Sequence, residues 1–231
     1  MSIGLRERKK LRTREELIRA ATRLFLEHGF DHITVDDVAQ AAEISRSTFF
    51  RYFPSKEDVV FPYQRERISR LAELVRQPEA GELPFKAVRY GCLAIAAYFM
   101  EIKEELLLQR RIIFASPFLT SRQTEYDNQW EKVIADRLIP AVADNPADVR
   151  AARIAGGAIF GVIRAVLRDW FEDGCRQDLV KLGETAFDLL KKGFDDFPEV
   201  DSSQSTAKRQ TGQSTKGADE PPRELKQNKT R

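Results

Sequence analysis

Thr34-Val-Asp-Asp-Val-Ala-Gln-Ala-Ala-Glu-Ile-Ser-Arg-Ser-Thr-Phe-Phe-Arg-Tyr-Phe53 is the stretch on which the fold turns. Thr34 followed by Asp37 is a capping box, and Ser45 is a second N-cap ahead of Pro54. The spacing therefore predicts a short helix to about Ala42, a three-residue turn and a second short helix. Ala39 is small where the two must approach, and Val35, Val38, Ile44, Phe49 and Phe53 are apolar where they would face a third helix. Ser45, Arg46, Ser47, Thr48, Arg51 and Tyr52 are left outward, a set of hydroxyls and guanidinium groups suited to phosphate oxygens and base edges. A plain helical hairpin with a polar exterior has the same pattern; three successive capping boxes and an adjoining basic segment favour the helix-turn-helix.

Upstream, Thr13 with Glu16 is a further box, and Leu17, Ala20, Ala21, Leu24 and Phe25 repeat at helical spacing, which predicts a helix over Thr13 to His28 stopped at Gly29. Downstream, Ser55 with Asp58 starts a longer helix near Lys56 that continues toward Arg76. Residues 1–12 read as a flexible basic arm: six Arg or Lys stand against one Glu in the first 14 residues. Such an arm suits a polyanion, and it equally suits an ordinary solvated terminus.

Phe25 to Phe30, Thr34 to Ala39, Ser45 to Phe53 and Ser55 to Glu57 together resemble the DNA-binding domain of the TetR family of transcriptional regulators. The resemblance covers residues 13 to about 60. It implies an all-α chain in which a helix-turn-helix domain (13–60, motif 34–53) joins a larger helical ligand-binding and dimerisation domain (61–197). It also implies a homodimeric repressor, bound to double-stranded operator DNA and released by a small-molecule effector. By position, Thr34 and Lys56 should grip phosphates, Thr48 and Tyr52 should contact backbone, and Arg46 and Ser47 should read bases. Two departures stand out. Glu43 occupies the turn position that similar proteins give to Gly, and must accept a left-handed conformation or reshape the turn. Phe50 replaces the usual Tyr in the DNA-facing set, removing a hydroxyl that Arg51 and Tyr52 would replace.

Beyond a Pro- and Gly-containing break at Gln77 to Pro84, helices are expected at 85–100, 102–115, 120–140, 146–172 and 177–195, punctuated by Pro117, Pro140, Pro146 and Gly174. Gly4 to Lys10 and Thr48 to Phe61 also resemble a subgroup of the family whose C-terminal domain binds acyl-CoA-like ligands. Tyr90, Cys92, Ile95, Phe99, Phe114, Tyr126, Trp130 and Phe160 offer enough apolar surface to line an elongated cavity, although each alone reads as core. Arg110 and Arg111 suit a phosphate-bearing head group or, more simply, a solvated helix face. Gly157 and Gly161 lie one turn apart, and Leu182, Ala186, Leu189 and Leu190 repeat along the last helix, a pattern for a four-helix interface between protomers or for packing within one.

The 231 residues carry 38 Lys+Arg and 36 Asp+Glu, and the basic excess sits at the two ends. Cys92 and Cys175 form no CxxC or Cys/His cluster, which argues against a disulfide framework or structural zinc. The longest charge-free apolar runs fall short of the roughly 18 residues needed to span a bilayer, and no secretory signal pattern opens the chain, so a cytoplasmic protein is expected. His28 and His32 are the only histidines and no HExxH, Walker or GxSxG motif is present, which leaves an all-helical enzyme without machinery and implies no cofactor beyond the effector. A constitutive DNA-binding protein without effector is the alternative. Residues 198–231 have Val200 and Leu225 as their only large aliphatic side chains and are expected to be disordered.

Overall fold

The computed structural model describes residues 4–76, 83–139 and 145–193. The expected tail and most of the 77–84 break lie outside the described residues. Within them the chain is all helical: α1 Leu5–His28, α2 Val35–Ala41, α3 Arg46–Tyr52, α4 Lys56–Val60, α5 Gln64–Arg76, α6 Pro84–Glu101, α7 Lys103–Phe114, α8 Pro117–Leu138, α9 Pro146–Glu172 and α10 Leu179–Lys192.

Two predicted boundaries move. Helix α1 starts at Leu5, so residues 5–12 of the expected arm are its first two turns. Leu, Arg and Lys are good helix formers. The Thr13 hydroxyl is drawn into the helix, donating to the Lys9 carbonyl at 3.1 Å instead of capping a new one, and Glu16 accepts from Arg12 at 2.9 Å. The second change lies after the recognition segment. The single helix expected from Lys56 to Arg76 is broken into α4 and α5 around Pro62, which has no N–H to continue the ladder. Arg14 of α1 fills that corner: it donates to the Pro62 carbonyl, and its guanidinium lies 4.4 Å from the Tyr63 ring centroid and 5.1 Å from that of Phe53.

The remaining caps follow the sequence. Thr34 accepts from Asp37 N–H while Asp37 accepts from Thr34 N–H, Ser45 accepts from Thr48 N–H, and Ser55 accepts from Asp58 N–H. Glu43 takes the left-handed alternative, with φ of 55°. Its own N–H donates to Gln40 O and that of Ile44 to Ala39 O, so the turn closes without glycine. Gly29 at the end of α1 also has positive φ, 83°, but an extended ψ of 146°, so it redirects the chain rather than adding a left-handed helical residue.

Burial is organised in three clusters. The first joins Leu17, Ala21, Phe25, Val38, Phe49, Phe53 and Val59 of α1–α4 to Ile112, Ile113, Leu119 and Tyr126 of α7 and α8. The helix-turn-helix therefore has no separate core ending at residue 60; α7 and α8 supply its floor. The second gathers Leu71, Val75, Val88, Ile95, Ile134, Ile159, Phe160 and Phe187. The third holds Leu106, Trp170, Cys175 and Leu179, with Trp170 Nε1 donating to Gln177 O at 2.9 Å. The tightest approach is of α9 on α8, where a Cβ on Gly156 would lie 2.7 Å from Ala135 Cβ and 2.9 Å from its Cα.

Candidate functional site

The second helix of the predicted motif, α3, is anchored by Phe49, 0% exposed, and by Phe53 at its C-cap, 2% exposed. That burial points Arg46, Ser47, Phe50 and Arg51 to solvent on one face, with Thr48 and Tyr52 half-buried at its edges. At its N-terminus the Ser45 hydroxyl lies 2.9 Å from those of Ser47 and Thr48. Arg46 packs over Phe50 at 5.4 Å and Arg51 over Tyr52 at 5.6 Å. The face carries guanidinium and hydroxyl donors, and one exposed ring of the kind that contacts a thymine methyl.

Two predicted phosphate contacts are otherwise engaged. Lys56 Nζ donates to the carbonyls of Phe30 at 2.7 Å and Ile33 at 2.8 Å, and sits 3.9 Å from the Phe30 ring centroid. Burial lowers its pKa, opposed by Glu57 and Asp31. This lysine ties the α1–α2 loop to α4 and does not reach outward. Thr34 likewise spends its hydroxyl proton and its backbone N–H on Asp37, at 2.6 and 2.7 Å. That hydroxyl, then the backbone N–H, hold the Asp37 carboxyl below its ordinary value.

A cavity of about 640 Å³ opens among α5–α9. Cys92, Ile95, Phe99, Phe114, Trp130 and Phe160 line it, six of the eight residues singled out for that role. Tyr90 is not among them, because it lies 62% exposed on the outer side of α6. Nor is Tyr126, which is buried in the first cluster with its ring 5.1 Å from that of Phe61. Desolvation pushes the Cys92 thiol up to about 12, so it serves as a small apolar wall residue rather than a nucleophile.

The polar part of the wall, Arg110 apart, was hidden from the sequence. Gln64, Arg67, Gln109, Arg110, Gln123, Asp127, Arg164, Arg168 and Glu172 complete it. Of its two expected places Arg110 takes the cavity wall and not the solvated face: its guanidinium sits between the Phe114 and Phe171 rings at 4.4 and 4.7 Å, and burial lowers its pKa, opposed by Glu172. Arg111 is exposed as expected. Helical periodicity identifies neighbours within a helix, whereas these groups converge from α5, α7, α8 and α9.

The paired glycines of α9 do not admit another helix within the chain. Among the described residues Gly157 has only the Glu131 carboxyl within 4 Å of an added Cβ, at 3.4 Å for Oε1, and Gly161, at the cavity wall, has nothing. The close approach belongs to Gly156 instead. Of the α10 residues, Leu182, Ala186 and Leu190 pack inward, Ala186 and Leu190 lining a small apolar void of about 60 Å³, while Leu189 is 53% exposed.

Among the described residues no cluster of His, Cys, Asp and Glu could hold a metal ion, and no helix is long and apolar enough to cross a membrane. The family model for bacterial regulatory proteins of the tetR family matches residues 17–61, and that for the MftR C-terminal domain matches residues 82–195. The HTH-type transcriptional regulator TcmR of Streptomyces glaucescens is 33% identical over 202 residues, 81% of this chain and 87% of that protein. The putative mycofactocin biosynthesis transcriptional regulator MftR of Mycobacterium tuberculosis is 26% identical over 188 residues, 81% of this chain and 94% of that protein. The crystal structure of Thermus thermophilus FadR, a TetR family transcriptional repressor in complex with lauroyl-CoA, superposes with a TM-score of 0.53 at 26% identity, covering 78% of this chain and 94% of that one. With the reading face of α3 held on its capped two-helix frame and the similarity running through both halves, the chain belongs to the TetR family of bacterial transcriptional regulators.

Proposed function

We propose that the protein is a homodimeric repressor that leaves its operator when a small apolar or acyl-type effector fills the cavity of α5–α9. The observation that carries this reading is one side chain with two roles. Gln109 lines the cavity and donates from Nε2 to the carbonyl of Val60, the last residue of α4, at 2.6 Å, and the Val60 side chain shares a buried cluster with Phe49 and Phe53. A ligand that moves Gln109 moves the base of the reading head. FadR of Thermus thermophilus, which this chain resembles, was crystallised with lauroyl-CoA, which supports an acyl-type effector.

In this reading residues 13–60 read DNA and residues 61–197 bind effector and partner. Arg46, Ser47, Phe50 and Arg51 face base edges, Ser45, Thr48 and Tyr52 face the backbone, and the basic first turns of α1 lie toward phosphates. The second copy packs on the outer face of α9 and α10, where Ile154 is 67% and Leu189 53% exposed beside Gly157 and Gly161. A cytoplasmic location follows from the DNA partner. A mobility-shift titration of the operator with and without lauroyl-CoA tests the reading: release of DNA supports it, and unchanged binding with every acyl compound tried favours the constitutive alternative.

A further inference from the structure

Arg67 in the first turn of α5 is 5% exposed, and its Nε has no hydrogen-bond partner among the described residues. Its guanidinium lies 6.0, 5.9 and 5.7 Å from the ring centroids of Tyr63, Tyr98 and Phe99, and it forms part of the wall of the 640 Å³ cavity. A guanidinium stays charged in proteins and offers five N–H donors with no acceptor. Aromatic faces offset part of its desolvation but leave the buried Nε without an oxygen acceptor.

The cavity's other arginines each see a carboxylate. Arg164 lies 3.8 Å from Asp127, Arg168 lies 3.4 Å from Asp169, and Arg110 feels Glu172. Arg164 and Arg168 are also mostly exposed, at 66% and 61%, so water satisfies them further. Arg67 is the one deeply buried cation of the wall, and among the described residues it forms no ion pair.

We propose that Arg67 anchors a carboxylate of the effector, so that the ligand is an amphipathic organic acid. Its acidic group is buried against α5 and its apolar body lies along Ile95, Phe99, Trp130 and Phe160. This inference rests on the effector reading above and sharpens it: a CoA thioester carries no charge at its acyl carbonyl, and its phosphates are strongly hydrated, whereas a free carboxylate is compact and accepts both arms of a guanidinium fork. The anchor also has a mechanical consequence. Tyr63 is shared by Arg67 and Arg14, and Arg14 in turn lies over Phe53, the C-cap of α3. A carboxylate that draws Arg67 from Tyr63 therefore acts on the support of the recognition helix.

The test uses dodecanoate, dodecan-1-ol and lauroyl-CoA, each titrated into the full-length protein with Trp fluorescence and calorimetry as readouts. Dodecanoate should bind at least about 10-fold more tightly than the alcohol. Arg67→Met should erase that preference while raising the melting temperature, since it removes an unpaired buried charge. Acid and alcohol binding equally to the unsubstituted protein, or an acid preference that survives Arg67→Met, would overturn the anchor and leave the cavity reading standing. Lauroyl-CoA binding more tightly than dodecanoate, with unchanged affinity in Arg67→Met, overturns it as well and moves the anion site to the exposed arginines. Binding of none of the three removes the cavity reading and the anchor with it. If Arg67→Met melts below the unsubstituted protein, the acid-to-alcohol comparison in the latter decides alone.

Discussion

Arg46 donates from Nη1 to Asp36 at 2.6 Å, tying the first residue of the recognition helix back to the first turn of α2. Both side chains are more than half exposed, at 58% and 63%. Such a pair contributes about 0–1 kcal/mol, less than the roughly 1–3 kcal/mol of a bidentate contact to guanine. On the proposed reading, Arg46 is expected to leave Asp36 for the right base and to stay with it elsewhere. Arg46→Ala should lose about 10- to 100-fold on the operator, mainly at one base position. Asp36→Asn should tighten binding to random DNA and narrow the gap between operator and random sequence. Equal losses for Arg46→Ala on both DNAs would make Arg46 a phosphate clamp.

Lys56 holds two backbone carbonyls of the α1–α2 loop, so its loss is expected in stability rather than in ionic contacts. Lys56→Met leaves two partly buried acceptors unpaired and should cost about 1–3 kcal/mol by chemical denaturation. The salt dependence of DNA binding, measured where the variant remains folded, should keep its slope. A slope reduced by about one, with stability unchanged, would return Lys56 to the phosphate contacts.

Most of the helix-turn-helix was legible because its signals are local. The box at Thr34 and the caps at Ser45 and Ser55 are four-residue patterns, and each cap forms as written, although Asp58 turns its carboxylate to the Ser55 hydroxyl and not to the Ser55 N–H. Thr13 carried the same pattern and failed, because Leu5 to Arg12 supply a favourable helix on its N-terminal side and a cap is needed only where the chain must start. The cavity was half legible. Ile95, Phe99, Trp130 and Phe160 are apolar on any reading, but whether a ring faces a void or a neighbour depends on crossings among five helices. Tyr126 and Tyr90 fell on the wrong side of that geometry. Arg67 was invisible for the same reason: nothing in Gln-Arg-Glu-Arg-Ile announces that the second arginine is the buried one.

The Thr34–Asp37 box gives the start of α2 a pH dependence. Its hydrogen bonds favour the ionised carboxyl, so the folded pKa lies below the unfolded one. The contribution is then complete above the ordinary carboxylate range and is lost as pH falls through the depressed folded value. Asp37→Asn should melt below the unsubstituted protein at about pH 6, and the difference should shrink toward about pH 3. A difference independent of pH would mean that ionisation of Asp37 does not contribute to the box.

Gly156 and Gly161 separate packing within the protomer from packing between protomers. Gly156→Ala drives a Cβ into the backbone of α8 at Ala135 and should destabilise the fold by about 1–3 kcal/mol. Gly161→Ala meets nothing within 4 Å and should add up to about 1 kcal/mol through helix propensity. If the outer face of α9 is the partner surface, Ile154→Arg, at a position 67% exposed and outside the cavity wall, should lower the dimer fraction in sedimentation without lowering the protomer's helicity. An unchanged dimer would move the interface elsewhere.

Gln109 tests how a filled cavity reaches the DNA. The helices after Lys56 are not the only connection between the reading head and the cavity, since α7 and α8 share the core of α1–α4 and Gln109 bonds the end of α4 directly. Gln109→Leu keeps the side chain's bulk and removes the bond to Val60 O. Effector affinity in the absence of DNA should change little, operator affinity without effector should change little, and the factor by which one weakens the other should shrink toward one. Coupling of this kind is commonly about 1–3 kcal/mol and is reciprocal, so the same reduction must appear whether DNA is titrated with effector present or effector with DNA present. A coupling factor unchanged in Gln109→Leu would shift the route to α5, where Arg67, Tyr63 and Arg14 make the parallel connection to Phe53.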